Sequence, residues 1–254
     1  TGSGNYVNGQ LNFPTAATNL VAIAAGNGFS AALRNDGKVF AWGYNAYGQT
    51  NVPAGLSNVV AIAAYSLNVW ALKNDGTVVG WGDNGAGQLN VPNGLSNVVA
   101  ISVGAYSTMV LKNDGTVVSW GNWGPSGITP PVGLSNVVSI AVGSNHALAL
   151  KSDGTVVVWG GSSVGQLSIP NGLTNVIAVT AADNHSLALK SDGTVIGWGA
   201  GANGQVLPSA HYAQATIPTG LTNAFAIAAG GPSSVALVNA SSPPALVTDP
   251  GFRL

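Results

Sequence analysis

Cysteine and glutamate are both absent from this 254-residue chain, and charge is scarce: seven Lys and Arg against eight Asp, for a net charge of −1. Without cysteine there is no disulfide framework, no thiolate zinc site and no Cys nucleophile. Without clustered Lys and Arg the chain lacks the footprint of a phosphate-tracking nucleic-acid binder. No apolar run approaches the roughly 18 residues of a membrane-spanning helix, so membrane insertion is not expected. No helical period appears anywhere. The opening Thr1-Gly2-Ser3-Gly4-Asn5 has no signal-peptide layout, which leads to the expectation that an export signal is already gone. What the chain has instead is 36 Gly, 46% hydrophobic residues, and Asn, Ser and Thr in place of charge. The glycines follow no three-residue period, which excludes a collagen-like chain.

A long-range repeat dominates the sequence. Trp-Gly pairs begin at Trp42, Trp81, Trp120, Trp159 and Trp198, each 39 residues after the last. Asp-Gly pairs at Asp36, Asp75, Asp114, Asp153 and Asp192 keep that step, as do Asn19, Asn58, Asn97, Asn136 and Asn175. Asn223 arrives 48 residues after Asn175, so the last step holds 9 extra residues, placed in the segment 206–217 with His211 and Tyr212. Each unit reads as four short strands. In the third they are a nearly continuous apolar run from Asn97 to Val103, then Ser107 to Lys112, then Thr116 to Trp120, and a short edge strand ending at Pro130-Pro131. Asp114-Gly115 between the second and third supplies the positive φ angles of a tight hairpin.

Four strands in about 40 residues is the pattern of a β-propeller blade. The expected fold is therefore all-β, a six-bladed propeller of four-stranded blades in a single domain, 1–254. The units run 19–57, 58–96, 97–135, 136–174, 175–222, and 223–254 completed by 1–18. Gly9-Gln10-Leu11-Asn12-Phe13-Pro14 matches a fourth strand, and Asn223–Ala229, Ser233–Val238 and Ala245–Val247 match strands one to three. The two termini are expected to share the closing blade and hide a sheet edge. Seven blades is the alternative.

Residues 176–199, from Val176 through His185-Ser186-Leu187-Ala188-Leu189-Lys190 to Trp198-Gly199, carry a family resemblance. With the Gly-Gln that follows Trp-Gly in most units, they resemble the regulator of chromosome condensation repeat, and the pattern recurs in phase over most of the chain. The short unit is similar to bacterial members, among them secreted propellers that inhibit β-lactamases. That resemblance implies a secreted or cell-surface bacterial protein whose aromatic one-to-two loops grip a partner enzyme. Phe29, Leu67 and Tyr106 fit those positions; Asn145, Asn184 and Pro232 depart from them. It also implies seven blades as the common number. The nucleotide exchange of the eukaryotic founder is not carried over.

Several motif matches dissolve into the repeat. Gly80-Trp81-Gly82-Asp83-Asn84-Gly85 and Gly199-Ala200-Gly201-Ala202-Asn203-Gly204 spell a dinucleotide fingerprint, but a fingerprint needs a helix N-terminus behind it. Gly161-Ser162-Ser163-Val164-Gly165 spells a nucleophile elbow on what reads as a blade loop. Outside the repeat positions only Lys38, Arg253, Asp83, Asp183 and Asp249 remain charged. Asp83 and Asp183 lie more than two blades apart, too far for a glycosidase carboxylate pair. His146 and His185 occupy equivalent places in neighbouring units. They read either as a family packing residue or, with Asp183, as a catalytic funnel. No metal or cofactor is expected.

Loops one-to-two and three-to-four leave the blades on one face, and that is where the units differ. The candidate binding residues there are Tyr6, Phe29, Tyr44, Tyr47, Tyr65, Leu67, Asp83, Tyr106, Trp123, His146, Asp183 and His185. Tyr and Trp supply rigid contact area. The expected function is a non-enzymatic binding module for a protein partner, an enzyme held as by an inhibitor being one case. A glycan-binding propeller and an enzyme built around His146, Asp183 and His185 are the alternatives.

Overall fold

The computed structural model describes residues 9–121, 127–202 and 214–239. These residues are all β-strand, turn and loop, with no helix. Six antiparallel meanders follow one another. They are β1 (Leu20–Ala25), β2 (Phe29–Arg34) and β3 (Val39–Gly43); β4 (Val59–Tyr65), β5 (Asn68–Lys73) and β6 (Val78–Gly82); β7 (Val98–Val103), β8 (Ser107–Lys112) and β9 (Val117–Gly121); β10 (Val137–Val142), β11 (His146–Lys151) and β12 (Val156–Gly160); β13 (Val176–Ala181), β14 (His185–Lys190) and β15 (Val195–Gly199); and the pair β16 (Ala224–Gly230) and β17 (Ser233–Val238). The strand expected at Ala245–Val247 lies outside the described residues. The chain divides into two compact units, 1–114 with 118–123, and 115–117 with 124–254.

Five of the sheets have three strands where four were expected, and β16 pairs with β17 alone among the described residues. The fourth segment is a chain of turns. In the first repeat Gly48 N bonds Asn45 O, Asn51 N bonds Gly48 O, Val52 N bonds Thr50 O and Leu56 N bonds Pro53 O. Donors used locally cannot also join a ladder, and proline has none to give. Residues 9–17 show the same turns, Asn12 N to Gly9 O and Ala17 N to Pro14 O, so the N-terminal segment is another copy of this outer element.

The hairpins also differ in detail from the expected two-residue turn. Arg34 N bonds Lys38 O and Gly37 N bonds Arg34 O, enclosing three loop residues, with positive φ at Gly37 and not at Asp36. This is a type I turn ending in a left-handed glycine. Asp36 instead accepts from Lys38 N, and its carboxylate pairs with Arg34 at 2.6 Å. The recurrent Asn has a different cause. Asn19, Asn58, Asn97, Asn136, Asn175 and Asn223 all sit at φ between 53° and 59°, where Asn is among the few tolerated side chains. Just after each comes a β-bulge at the start of the first strand.

Within each unit, apolar cores lie between successive sheets. In the first unit Phe29, Ala31 and Leu33 of β2 meet Val59 and Ile62 of β4, and Leu72 of β5 meets Val98 and Ile101 of β7. In the second, Leu148 and Leu150 meet Val176 and Val179, and Leu187 and Leu189 meet Ala224 and Ile227. The recurrent tryptophan spans the same gaps. Its Nε1 donates to a main-chain carbonyl of the preceding outer segment: Trp42 to Gln10, Trp81 to Gln49, Trp120 to Gln88 and Trp198 to Gln166, all at 2.8–2.9 Å. Trp159 finds Ile128, which replaces the glutamine in the third repeat. The first and last sheets each keep one apolar face uncovered. Ile23 of β1 is 80% exposed where its counterpart Ile62 is packed, and Leu237 of β17 is 54% exposed where Leu189 is buried.

Candidate functional site

The Trp-Gly pair builds the variable loop face. Each glycine after the tryptophan has φ between 93° and 109°. A Cβ on Gly160 would lie 2.6 Å from the Asn145 carbonyl oxygen, the acceptor for Gly161 N at 2.7 Å. Tyr44 N to Gly28 O and Ala200 N to Asn184 O repeat that bond. It ties the start of a three-to-four loop to the end of a one-to-two loop within one sheet. Gly160→Ala is expected to destabilise the protein by about 1–3 kcal/mol in urea unfolding. Gly94→Ala, at φ +77 with open space around it, should cost clearly less.

The outer-segment glutamine supports the loops from below. Gln49, Gln88 and Gln166 are buried. In each, Oε1 accepts from the main-chain N two residues earlier, Tyr47, Ala86 and Val164. Gln88 Nε2 donates to Asp83 Oδ2 at 3.1 Å. Gln166 Nε2 reaches Asn184 Oδ1 at 3.1 Å, Ser163 Oγ at 3.3 Å and Asn145 Oδ1 at 3.4 Å. The apparent nucleophile-elbow serine, Ser163, is thus a ligand of a structural amide. After the long step it is Gln214 that takes the outer-segment place, since its carbonyl accepts from Ser234 Oγ as Gln88 O accepts from Thr108 Oγ. The extra residues therefore precede position 214 and fall in 203–213, with His211 and Tyr212, outside the described residues. The Gly-Gln recurrence was visible in the sequence; its hold on the loops was not.

The predicted site residues separate by depth. Tyr47 is 51% exposed, with its ring 6.5 Å from that of half-buried Tyr44. Tyr106 is 39% exposed, and Tyr65, Leu67, Asp83 and Asp183 are half-buried. Asp183 Oδ1 accepts from Ser144 Oγ at 3.0 Å. Phe29, His146 and His185 are buried beneath the face. Phe29 packs in the core between the first two sheets. Tyr6 and Trp123 lie outside the described residues.

The two histidines join neighbouring sheets. His146 Nε2 and Ser186 Oγ share a hydrogen bond of 2.8 Å, and His185 Nε2 and Ser234 Oγ one of 2.9 Å. Ser234 Oγ already donates to Gln214 O, so His185 is the donor toward that serine, the reverse of what a general base requires. Burial pushes both imidazoles down to about 4. A neighbouring His185 lowers His146 further, whereas Asp183 opposes the shift in His185. Among the described residues no three His or Asp side chains gather as a metal site would need. A cavity of about 480 Å³ bordered by Pro170, Val195, Trp198, Ala215 and Ile217 has no ionisable side chain in its lining.

Comparison with known proteins bears on this geometry. Residues 20–49, 59–88, 98–126, 137–166 and 176–205 match the regulator of chromosome condensation (RCC1) repeat. No curated protein matches the sequence. Among solved structures, the chain is similar to Prp20p of Saccharomyces cerevisiae, in a structure described with its binding to Gsp1p and histones. The identity is 23% and the TM-score 0.68, over 89% of this chain and 71% of that one. The same yeast protein bound to Kap60 gives TM-score 0.67 at 23% identity, over 89% and 69%. The ectodomain of the Physcomitrella patens receptor kinase CR4 gives TM-score 0.70 at 25% identity, over 89% of this chain and 60% of that one.

Proposed function

The chain belongs to the regulator of chromosome condensation repeat family, and from that premise we propose that it is a non-enzymatic module that binds a protein through its variable loop face. One observation carries the reading: Trp-Gly closures and buried glutamines hold loops of differing sequence rigidly, and in the first unit these loops present Tyr44, Tyr47, Leu67 and Tyr106. Rigid aromatic side chains lose little entropy on binding. The yeast neighbour Prp20p, studied bound to Kap60 and for its binding to Gsp1p and histones, supports a protein as the partner class. The finer reading is a partner enzyme obstructed by the loops, and a secreted or cell-surface setting; both rest on the resemblance to bacterial members.

The repeat number is proposed as six, with the N-terminal outer segment completing the repeat that β16 and β17 begin. Gln10 serves Trp42 as Gln49 serves Trp81, which gives residues 9–17 the phase of an outer segment.

A glycan is the second reading, favoured by Asn145 and Asn184. Gln166 engages their carboxamide oxygens, and their Nδ2 donors have no partner among the described residues. The deciding experiment runs immobilised wild-type protein and a Tyr47→Ala/Tyr106→Ala variant in parallel against bacterial secretions, and both against a glycan array. Proteins retained by the wild type and lost from an equally stable variant support the proposal. Array binding with no variant-sensitive protein would replace it with the glycan reading.

A further inference from the structure

Gln49, Gln88 and Gln166 are held alike at one end and differently at the other. With Oε1 committed to a main-chain N–H, each carboxamide has a fixed orientation and must donate from Nε2. Gln88 donates to Asp83, and Gln166 to Asn184, Ser163 and Asn145. Gln49 Nε2 is buried and has no acceptor among the described residues. The 39-residue step shows why. Asp83 becomes Tyr44 there, and Asn184, Asn145 and Ser163 become Leu67, Gly28 and Ala46. None of these has a short side-chain acceptor. A buried donor left unpaired is destabilising and uncommon in native proteins.

The orphaned donor lies in the loop cluster of Tyr44, Tyr47 and Leu67, so any role for it in recognition rests on the protein-binding reading. We propose that Gln49 Nε2 is the anchoring donor of this patch, and that a main-chain carbonyl oxygen of the protein partner accepts its hydrogen bond. The half-buried Tyr44 and Leu67 turn aside to admit it. The acceptor is neutral for a reason on the same unit. Arg34, Lys73 and Lys112 are paired with Asp36, Asp75 and Asp114 at the hairpins, and Lys38 lies over Phe40, so the positive charge sits at the other end of the strands. Among the described residues of this unit no cation is left beside the loops to balance a carboxylate.

The test follows the Gln49 side-chain NH₂ resonances of ¹⁵N-labelled protein during titration with N-acetyl-leucinamide, sodium acetate and methyl β-glucopyranoside. A saturable downfield shift with the amide alone supports the anchor. The shift should vanish in Tyr44→Asp, which supplies the acceptor that Asp83 gives Gln88. That variant should also raise the melting midpoint by about 2–4 °C. Leu67→Asn, copying Asn184, makes the same test should Tyr44→Asp fold poorly. Shifts at the Tyr44 and Tyr47 main-chain amides without one at Gln49 would overturn the anchor and leave the binding patch standing. A Gln49 shift with the glucoside or acetate, or no Gln49 shift with any of the three probes, overturns the anchor as well. The capture experiment with Tyr47→Ala/Tyr106→Ala then decides the patch separately.

Discussion

Gly80→Val is expected to destabilise the protein by about 1–3 kcal/mol, and Trp70→Leu in the same chain to recover most of that loss. Trp70 of β5 is fully buried and pairs in register with Gly80 of β6. A Cβ on Gly80 would come within 2.7 Å of the Trp70 ring. The fourth repeat solves the same site with Leu148 opposite Val158, and the first with Ala31 opposite Ala41. Large faces small in the second repeat, medium faces medium in the fourth and small faces small in the first, so none of the three sets a bulky side chain opposite a large one at Trp70's position. Trp70→Leu alone should also be costly, by about 2–4 kcal/mol, since it opens a void and ends the edge-on contact with Trp120 at 5.5 Å. Urea unfolding of the two single variants and the double reads the coupling directly. A double variant as unstable as the sum of the singles would show that the pair does not share one volume.

Acidification from pH 7.5 to 4.5 is the second large expected effect. The folded protein holds His146 and His185 at about 4, against an ordinary 6.5 in the unfolded chain. Between those values the unfolded state binds more protons, so stability is full above pH 6.5 and falls as the pH drops toward 4. The loss is up to about 3 kcal/mol for each histidine, from roughly 1.4 kcal/mol per unit of pKa difference. The structural cause is local. His146 Nδ1 is buried without a partner among the described residues, so a second ring proton there finds no acceptor among them. Below pH 4 the hairpin aspartates take over. Asp36, Asp153 and Asp192 are held near 2: the Arg34 side chain does most of this at Asp36, the Thr155 side chain at Asp153 and Thr194 N–H at Asp192. Protonating them therefore removes further stability. His146→Phe, which copies Phe29 of the first repeat, should remove close to half of the histidine-dependent slope in a series of urea midpoints. An unchanged slope would place the proton uptake elsewhere.

Much of the architecture was legible because the repeat reports one environment five times. Trp42 through Trp198 at a constant step could only mean equivalent places between sheets, and the indole bonds to the preceding outer segment bear that out. The strand bounds fell within a residue or so of those expected. The fourth strand was misread. Gly-Gln-Leu-Asn-Val-Pro alternates enough to resemble an edge, but its local turns use the donors a ladder would need. The depth of Phe29, His146 and His185 was equally invisible. Their positions border the variable loops in sequence, yet alternation at the first residue of the second strand turns each side chain inward.

What the sequence determined by itself is the unit: strands from their apolar runs, hairpins from Asp-Gly, left-handed corners at Asn, and the stacking of one sheet on the next through tryptophan. These are local or periodic, and every copy repeats the evidence. Tertiary structure alone decided which loop residues remain exposed and which glutamine donors find acceptors. Gln49, Gln88 and Gln166 are the same residue in the same local frame. They differ only in what neighbouring loops, 3 to 21 residues away in the chain, bring within hydrogen-bond reach. The 39-residue step names the residues that stand in these places, but only the folded loops show that their side chains come within reach of the glutamine.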